Sequence, residues 1–192
     1  MEIPTLVGEF VHLVPLALDH HDGLVDAAGD GELWEHWWTS VPEPGGMRAE
    51  IERRLALADE NAMMPFTQMS PTGEVLGMTA FYDFDDAVPR REIGYTWLRA
   101  GTHGTGVNVE AKKLLLSHAF DEAGCECVGF RTQWVNHRSR QALDRLGAKC
   151  DGVLRSHQRH RNGVLRDTVM YSILRHEWPT VHALLEHRLS QR

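Results

Sequence analysis

The residues in this chain best placed to do chemistry start at "HGTGVN", His103 to Asn108, where small residues lead into "VEAKKLLLSHAF". A helix start leaves about four backbone N–H groups without partners and carries a partial positive charge. Glycines in front of it let a phosphate approach those donors with no Cβ in the way. The run lacks the Gly-Lys-Ser/Thr ending of a nucleoside-triphosphate loop and the third glycine of a dinucleotide fingerprint. Taken alone, it reads equally well as a structural turn. A second candidate is "RSHQRHRNGVLR", Arg155 to Arg166, with four arginines, two histidines and no acid. It suits a solvated hairpin or a cationic rim for one anionic ligand. Cys125 and Cys127 have no His or Cys at metal spacing, and His20-His21 is the only adjacent pair among twelve histidines, so no metal is expected.

The elements around these residues follow from periodicity. "EFVHLVPL" alternates as a strand, and "LDHHDGLVDAA" reads as a short helix with Asp19 available as its cap. "GDGELWEHWWTSVPEPGG" is loop-like yet carries Trp34, Trp37 and Trp38. "MRAEIERRLALADEN" puts Ile51, Leu55 and Ala58 on one stripe, as a surface helix does. "MPFTQMS" and "EVLGMTAFYDF" flank the turn "PTG", a hairpin. "REIGYTWL" alternates, with Ile93, Tyr95 and Trp97 on one face and Glu92, Gly94 and Thr96 on the other. The helix after the glycine loop stops at Gly124, "CECVGFRTQW" is a strand, and "NHRSRQALDRLG" is a helix capped by Asn136 and ended by Gly147. Two strands about Asn162-Gly163 and a helix opening at Pro179 complete the chain. A strand-helix-strand unit demands a parallel pair, and the hairpins add antiparallel partners. The fold class is α/β: one domain over 1–192, with a mixed sheet of about seven strands covered by helices and a final helix over 179–190.

Composition narrows the function. A net charge of −7 disfavours nucleic acid as a partner, and no apolar run approaches a membrane span. Three cysteines argue against a disulfide framework, and the start "MEIPTLVGEF" shows no export signal, so a cytoplasmic location is expected.

Strand "EIGYTWL", glycine loop, helix, strand, then "N-x-x-S" and "LDRLGA" at fixed distance resembles the Gcn5-related N-acetyltransferase (GNAT) superfamily. Within it, the chain looks most like the branch that acetylates ribosomal-protein N-termini. The resemblance is carried in order by "GTGVN-x-EAK", "N-x-R-S-x-x-ALDRLGA", "GVLR" and "RDTV-x-YS". It implies acetyl-coenzyme A as cosubstrate, held between splayed parallel strands, with its diphosphate on the main-chain N–H groups of His103, Gly104, Thr105, Gly106, Val107 and Asn108. Two positions depart from the family: His103 replaces the usual Arg or Gln, and Asn108 replaces the usual Gly or Ala and can also cap the helix. The pantetheine arm would pair with main-chain groups of Trp97, Leu98 and Arg99.

Asn136 and Ser139 would form the second wall of the cofactor site. Ser139 either assists the thiol or is simply a small residue for close packing. A tyrosine found four residues on in other branches is Leu143 here. Glu92 is implied as the base that deprotonates the acceptor amine, or else is a surface carboxylate paired with Arg90 or Arg91. "RSHQRH" offers no acid for the arrangement some relatives use, leaving His157 as a substitute. Asp83 and Asp85 could bind an incoming amine by charge, and Trp34, Trp37 and Trp38 overhang the acceptor pocket or pack as a lid. Arg138 and Arg140 either meet the cofactor's 3′-phosphate or lie free on the helix surface. The implied activity is acetyl transfer to a primary amine: a protein N-terminus, or a small molecule such as an aminoglycoside or polyamine. The competing class is a cofactor-binding regulatory domain without turnover. A dimer is common in the branch, so a homodimer is among the assemblies it allows.

Overall fold

In the computed structural model, which describes residues 2–39, 41–160 and 162–192, the chain winds around one sheet with eight strands among the described residues. Strands β1 (Leu6–Val7) and β2 (His12–Pro15) precede helices α1 (His21–Gly29) and α2 (Met47–Asp59). Next come β3 (Met63–Met69), β4 (Val75–Asp85) and β5 (Arg90–Leu98), then α3 (Val107–Ser117) crosses over to β6 (Cys127–Gln133). Helix α4 (His137–Leu146), the hairpin β7 (Lys149–Arg159) and β8 (Leu165–Leu174), and α5 (Trp178–Ser190) follow. The strand order is β1-β2-β3-β4-β5-β6-β8-β7. Arg161 of the cationic hairpin lies outside the described residues.

Two apolar clusters sandwich the sheet. On one face Phe81, Ile93, Val128 and Phe130 pack with Leu115 and Leu116 of α3, Leu143 of α4 and Leu185 of α5. On the other, Leu16, Met78 and Trp97 pack with Leu24 of α1 and with Met47 and Ile51 of α2.

The only parallel contact among the described strands is between β5 and β6, and it is short: Arg90, Arg91 and Glu92 pair with Cys127, Val128 and Gly129. Beyond Glu92 the two strands part. On its other edge β5 is held by β4, with a break in register. Ala80 pairs with Gly94 and Met78 with Trp97, so Tyr95 and Thr96 stand opposite Thr79 alone. Tyr95 takes a left-handed φ of 51°, the signature of a β-bulge.

The bulge corrects the expected alternation. Ile93 and Trp97 do not share a face: the extra residue sends Trp97 to the α1–α2 side and leaves Ile93 on the α3 side. Two expected caps also fail. His20 precedes α1 and its Nδ1 accepts from the Ala17 amide at 3.2 Å, so Asp19 caps nothing. Gly106, with φ 99°, is the N-cap of α3, which puts Asn108 inside the first turn. The Asn136 cap is present, its side chain accepting from the Ser139 amide at 3.1 Å. Cys125 precedes β6 rather than lying in it.

Helix α3 is fixed to the sheet edge by Glu110. Its carboxylate accepts the amides of Glu9 (2.8 Å), Phe10 (2.6 Å) and Val11 (2.8 Å) in the turn between β1 and β2. A Cβ at Gly8 would stand 2.4 Å from that carboxylate, so a larger residue there would push it off these amides. Glu110→Ala strips these amides of their acceptor, and the expected loss is about 2–4 kcal/mol in urea unfolding. A loss below about 1 kcal/mol would mean that water replaces the carboxylate without penalty.

Candidate active site

The opening between β5 and β6 has the glycine loop near the far end of β5. Ala100–Thr102 forms one tight turn, and the His103 and Thr105 amides donate inward, to the carbonyls of Ala100 (3.0 Å) and Thr102 (3.3 Å). The amides of Gly104, Gly106, Val107 and Asn108 have no acceptor among the described residues. Gly104 (φ 84°) and Gly106 (φ 99°) hold backbone conformations that only glycine adopts without strain. Of the six amides expected to meet a diphosphate, four are therefore available and two are engaged.

Arg99 is a further correction. Its amide donates to Leu76 (2.8 Å), its carbonyl accepts the Thr102 amide (3.2 Å) and hydroxyl (2.8 Å), and its guanidinium joins Asp26, Asp30 and Glu74. It braces the loop and has no main-chain group left for a ligand. Trp97 and Leu98 are buried at the end of β5. On the β6 side, Ser139 is half-buried on the first turn of α4, with Leu143 buried one turn on. His103 is pulled below the ordinary histidine range by burial and by the charge of Arg138.

Glu92 sits where the strands separate, as the last residue of β5 paired with β6. It is 1% exposed. The Tyr82 hydroxyl donates to its Oε2 at 2.8 Å, and Arg131 Nε donates to its Oε1 at 2.8 Å. Arg131 also reaches Asp83. The expected pairing with Arg90 or Arg91 is thus replaced by a buried one with Arg131, on the facing strand. Gly129, opposite Glu92, leaves room for it: a Cβ there would lie 3.0 Å from Glu92 Cγ. Burial raises the Glu92 carboxyl above the ordinary carboxylate range, while the Tyr82 hydrogen bond and Arg131 pull the other way. Burial and Glu92 together push the Tyr82 phenol strongly upward.

Above this cluster, the exposed Trp37 meets the His160 ring edge-on at 5.2 Å, and His160 Nε2 lies 3.1 Å from Gln133 Nε2. The tryptophan loop therefore reaches the β7–β8 hairpin over the sheet. Trp34 instead packs on the α1–α2 cluster. Asp83 is half-exposed and ion-paired with Arg131, and Asp85 accepts the Ala87 amide at 3.0 Å. His157 is held by Thr168 Oγ1 at 3.1 Å. Arg140 stacks on Trp134, 4.2 Å from the ring centroid.

Residues 11–149 match the family model described as an acetyltransferase (GNAT) domain. The chain belongs to that family. A crystal structure of an acetyltransferase, provisionally so called, from T. thermophilus superposes with a TM-score of 0.86 at 35% identity, covering 98% of this chain and 99% of that one. A GCN5-related N-acetyltransferase from Brucella melitensis gives a TM-score of 0.86 at 27% identity, over 97% of this chain and 86% of that one. The provisionally named ribosomal N-acetyltransferase YdaF of Bacillus subtilis (strain 168) is 31% identical over 106 residues, 55% of this chain. That match spans 57% of YdaF. The strand parting and glycine loop expected of a GNAT chain are both present.

Sequence reasoning missed Tyr82, Arg131 and Lys112. Lys112 projects from α3 under the bulge, where its Nζ donates to Thr96 Oγ1 at 2.8 Å and Thr96 Oγ1 lies 2.8 Å from Thr79 Oγ1. Burial brings its pKa from 10.5 to about 7. Between those values the unfolded chain holds a proton that the folded one has released, so stability rises with pH across that window. Lys112→Met should flatten the rise and, below pH about 7, stabilise the protein by about 2–4 kcal/mol. An unchanged pH slope of the unfolding midpoint would show that the amine keeps its proton.

Proposed function

We propose that this GNAT chain transfers the acetyl group of acetyl-coenzyme A to a primary amine, a protein N-terminus first among them, by direct attack in a ternary complex. The observation that carries this reading is the parting of β5 from β6 at Glu92. Phosphate-seeking amides lie near one end of the opening and a buried carboxylate at the other. The diphosphate falls to the amides of Gly104, Gly106, Val107 and Asn108, assisted by the partial positive charge at the start of α3. Trp97 and Leu98 flank the pantetheine arm, with Asn136 and Ser139 opposite.

In the reaction the neutral amine attacks the thioester carbonyl carbon, the C–S bond breaks, and the coenzyme leaves as a thiolate. An α-amino group, with a pKa of about 7.7–8.0, gives up its proton to a modest base. Glu92 is that base, reached through Tyr82, the more exposed member of the pair. The phenol oxygen receives the amine proton as its own passes to Glu92 Oε2. Ser139 donates a hydrogen bond to the departing sulfur. Trp37 roofs the acceptor side, and Asp83 acts through Arg131. A protein acceptor is favoured by the word ribosomal in YdaF's name, and its N-terminus by the lower pKa of an α-amine relative to lysine.

Thiol release is measured with acetyl-coenzyme A and a panel of N-terminal peptides, polyamines and aminoglycosides, beside calorimetric titration of the cofactor. Release that depends on an amine supports the reading. Tight binding with no release from any amine would assign a regulatory, cofactor-sensing domain instead.

A further inference from the structure

Two arginines on the acceptor side have no part in this mechanism. Arg54, on α2, is 0% exposed. Its Nε donates to Glu50 Oε1 at 2.8 Å, but Nη1 and Nη2 are buried with no acceptor among the described residues. The guanidinium lies over the Tyr95 ring, 5.2 Å from the centroid. That contact uses the flat face of the cation and leaves its in-plane N–H donors unmatched. Arg166, on β8, is half-buried, and its Nε is likewise without an acceptor among the described residues. Burial disfavours its charge, and its ionisable neighbours are Tyr82, Arg131 and Tyr95. It also helps burial to hold His160, under Trp37, below the ordinary histidine range. Thr168 pairs with Gln133 and Met170 with Arg131, so Arg166, two residues before Thr168 on β8, shares the sheet face of Arg131, while Arg54 comes to Tyr95 from α2.

The charge balance around Tyr82 and Tyr95 is positive. Four guanidinium groups, Arg53, Arg54, Arg131 and Arg166, face three carboxylates, Glu50, Glu92 and Asp83. Glu50 is shared by Arg53 and Arg54, and Arg131 holds both Glu92 and Asp83, which leaves Arg166 with no acid of its own among these groups. A guanidinium does not shed its proton to escape burial. A half-buried guanidinium with no acid of its own, such as Arg166, forms short and strong hydrogen bonds with a carboxylate that a ligand brings within reach.

We propose that Arg166 and Arg54 set the acceptor specificity of this site by reading a carboxylate carried close to the acceptor amine. The substrate class is then a peptide N-terminus followed by acidic residues. Arg166 makes the contact, and Arg54 is the buried cation behind Tyr95 that deepens the positive potential there. This rests on the assignment of the Glu92 side of the sheet to the acceptor. A polyamine or aminoglycoside brings further positive charge against these guanidinium groups and is rejected.

The test uses the full chain with saturating acetyl-coenzyme A and short peptides identical except after the first residue: Ser-Glu-Glu, Ser-Gln-Gln and Ser-Lys-Lys, with spermidine beside them. The acidic peptide should exceed the neutral one by about 10- to 100-fold in kcat/KM, with the basic acceptors lowest. In Arg166→Met the acidic-to-neutral ratio should fall to within about threefold, and Arg54→Met should lower it as well. Equal or better use of the neutral or basic peptides, or a ratio that survives in Arg166→Met, overturns the proposal. Absence of thiol release from every acceptor refutes the transferase reading instead. Calorimetric titration of the same peptides onto coenzyme A-loaded protein then decides the anion reading by their order of affinity.

Discussion

Glu92→Gln should lower kcat by about 10²–10⁴-fold while leaving the affinity for acetyl-coenzyme A within about twofold of wild type. Glutamine keeps the shape, and its carbonyl oxygen can still accept from Tyr82 or Arg131, but it takes no proton. The pH dependence separates this from a packing defect. Burial raises the Glu92 carboxyl above its ordinary range, so wild-type kcat should fall as pH drops through that raised value and the base becomes protonated. The variant should lose this acidic limb and keep a flat, low rate. A variant that retains the limb would remove Glu92 from proton transfer and leave it as the anchor of Arg131. Tyr82→Phe then distinguishes relay from direct transfer, since a direct base tolerates the loss of the phenol.

Gly104→Val should weaken acetyl-coenzyme A binding by about 10- to 100-fold. The position separates ligand effects from folding effects. A Cβ at Gly104 meets nothing within 4 Å, so the protein bears little beyond the left-handed strain at φ 84°. That strain is about 1–2 kcal/mol and is relieved by rotating the peptide, which turns the loop amides away from a common centre. A change in unfolding free energy of that size together with undiminished cofactor affinity would mean that the loop is only a turn.

The glycine loop and the Asn136 cap were legible because each is written in consecutive residues: positive-φ glycines, a capping side chain and the helix that follows. The element order was legible for the same reason, including the parallel pair that a strand-helix-strand unit imposes. The exception is the two-residue strand β1, too short to show an alternation and not among the seven or so strands expected. Glu92's environment was not. Its partners come from β4 and β6, and only the registers Tyr82 with Glu92 and Glu92 with Gly129 bring them together. The bulge at Tyr95 was hidden as well, because alternation assumes an unbroken ladder and one extra residue reverses every face after it. That reversal moved Trp97 across the sheet. The burial of Arg54 was not legible, because periodicity identifies the apolar stripe of Ile51 and Leu55 but not the Tyr95 ring packed against the guanidinium. Arg99 was misread because its main-chain groups are engaged by Leu76 and Thr102, contacts that follow from the fold rather than from the strand.

The most direct measurement is a crystal structure with acetyl-coenzyme A bound. Its diphosphate oxygens should lie within hydrogen-bonding distance of the Gly104, Gly106, Val107 and Asn108 amides, with the thioester between β5 and β6 near Glu92. A diphosphate seated elsewhere, with those amides facing solvent, would contradict the account.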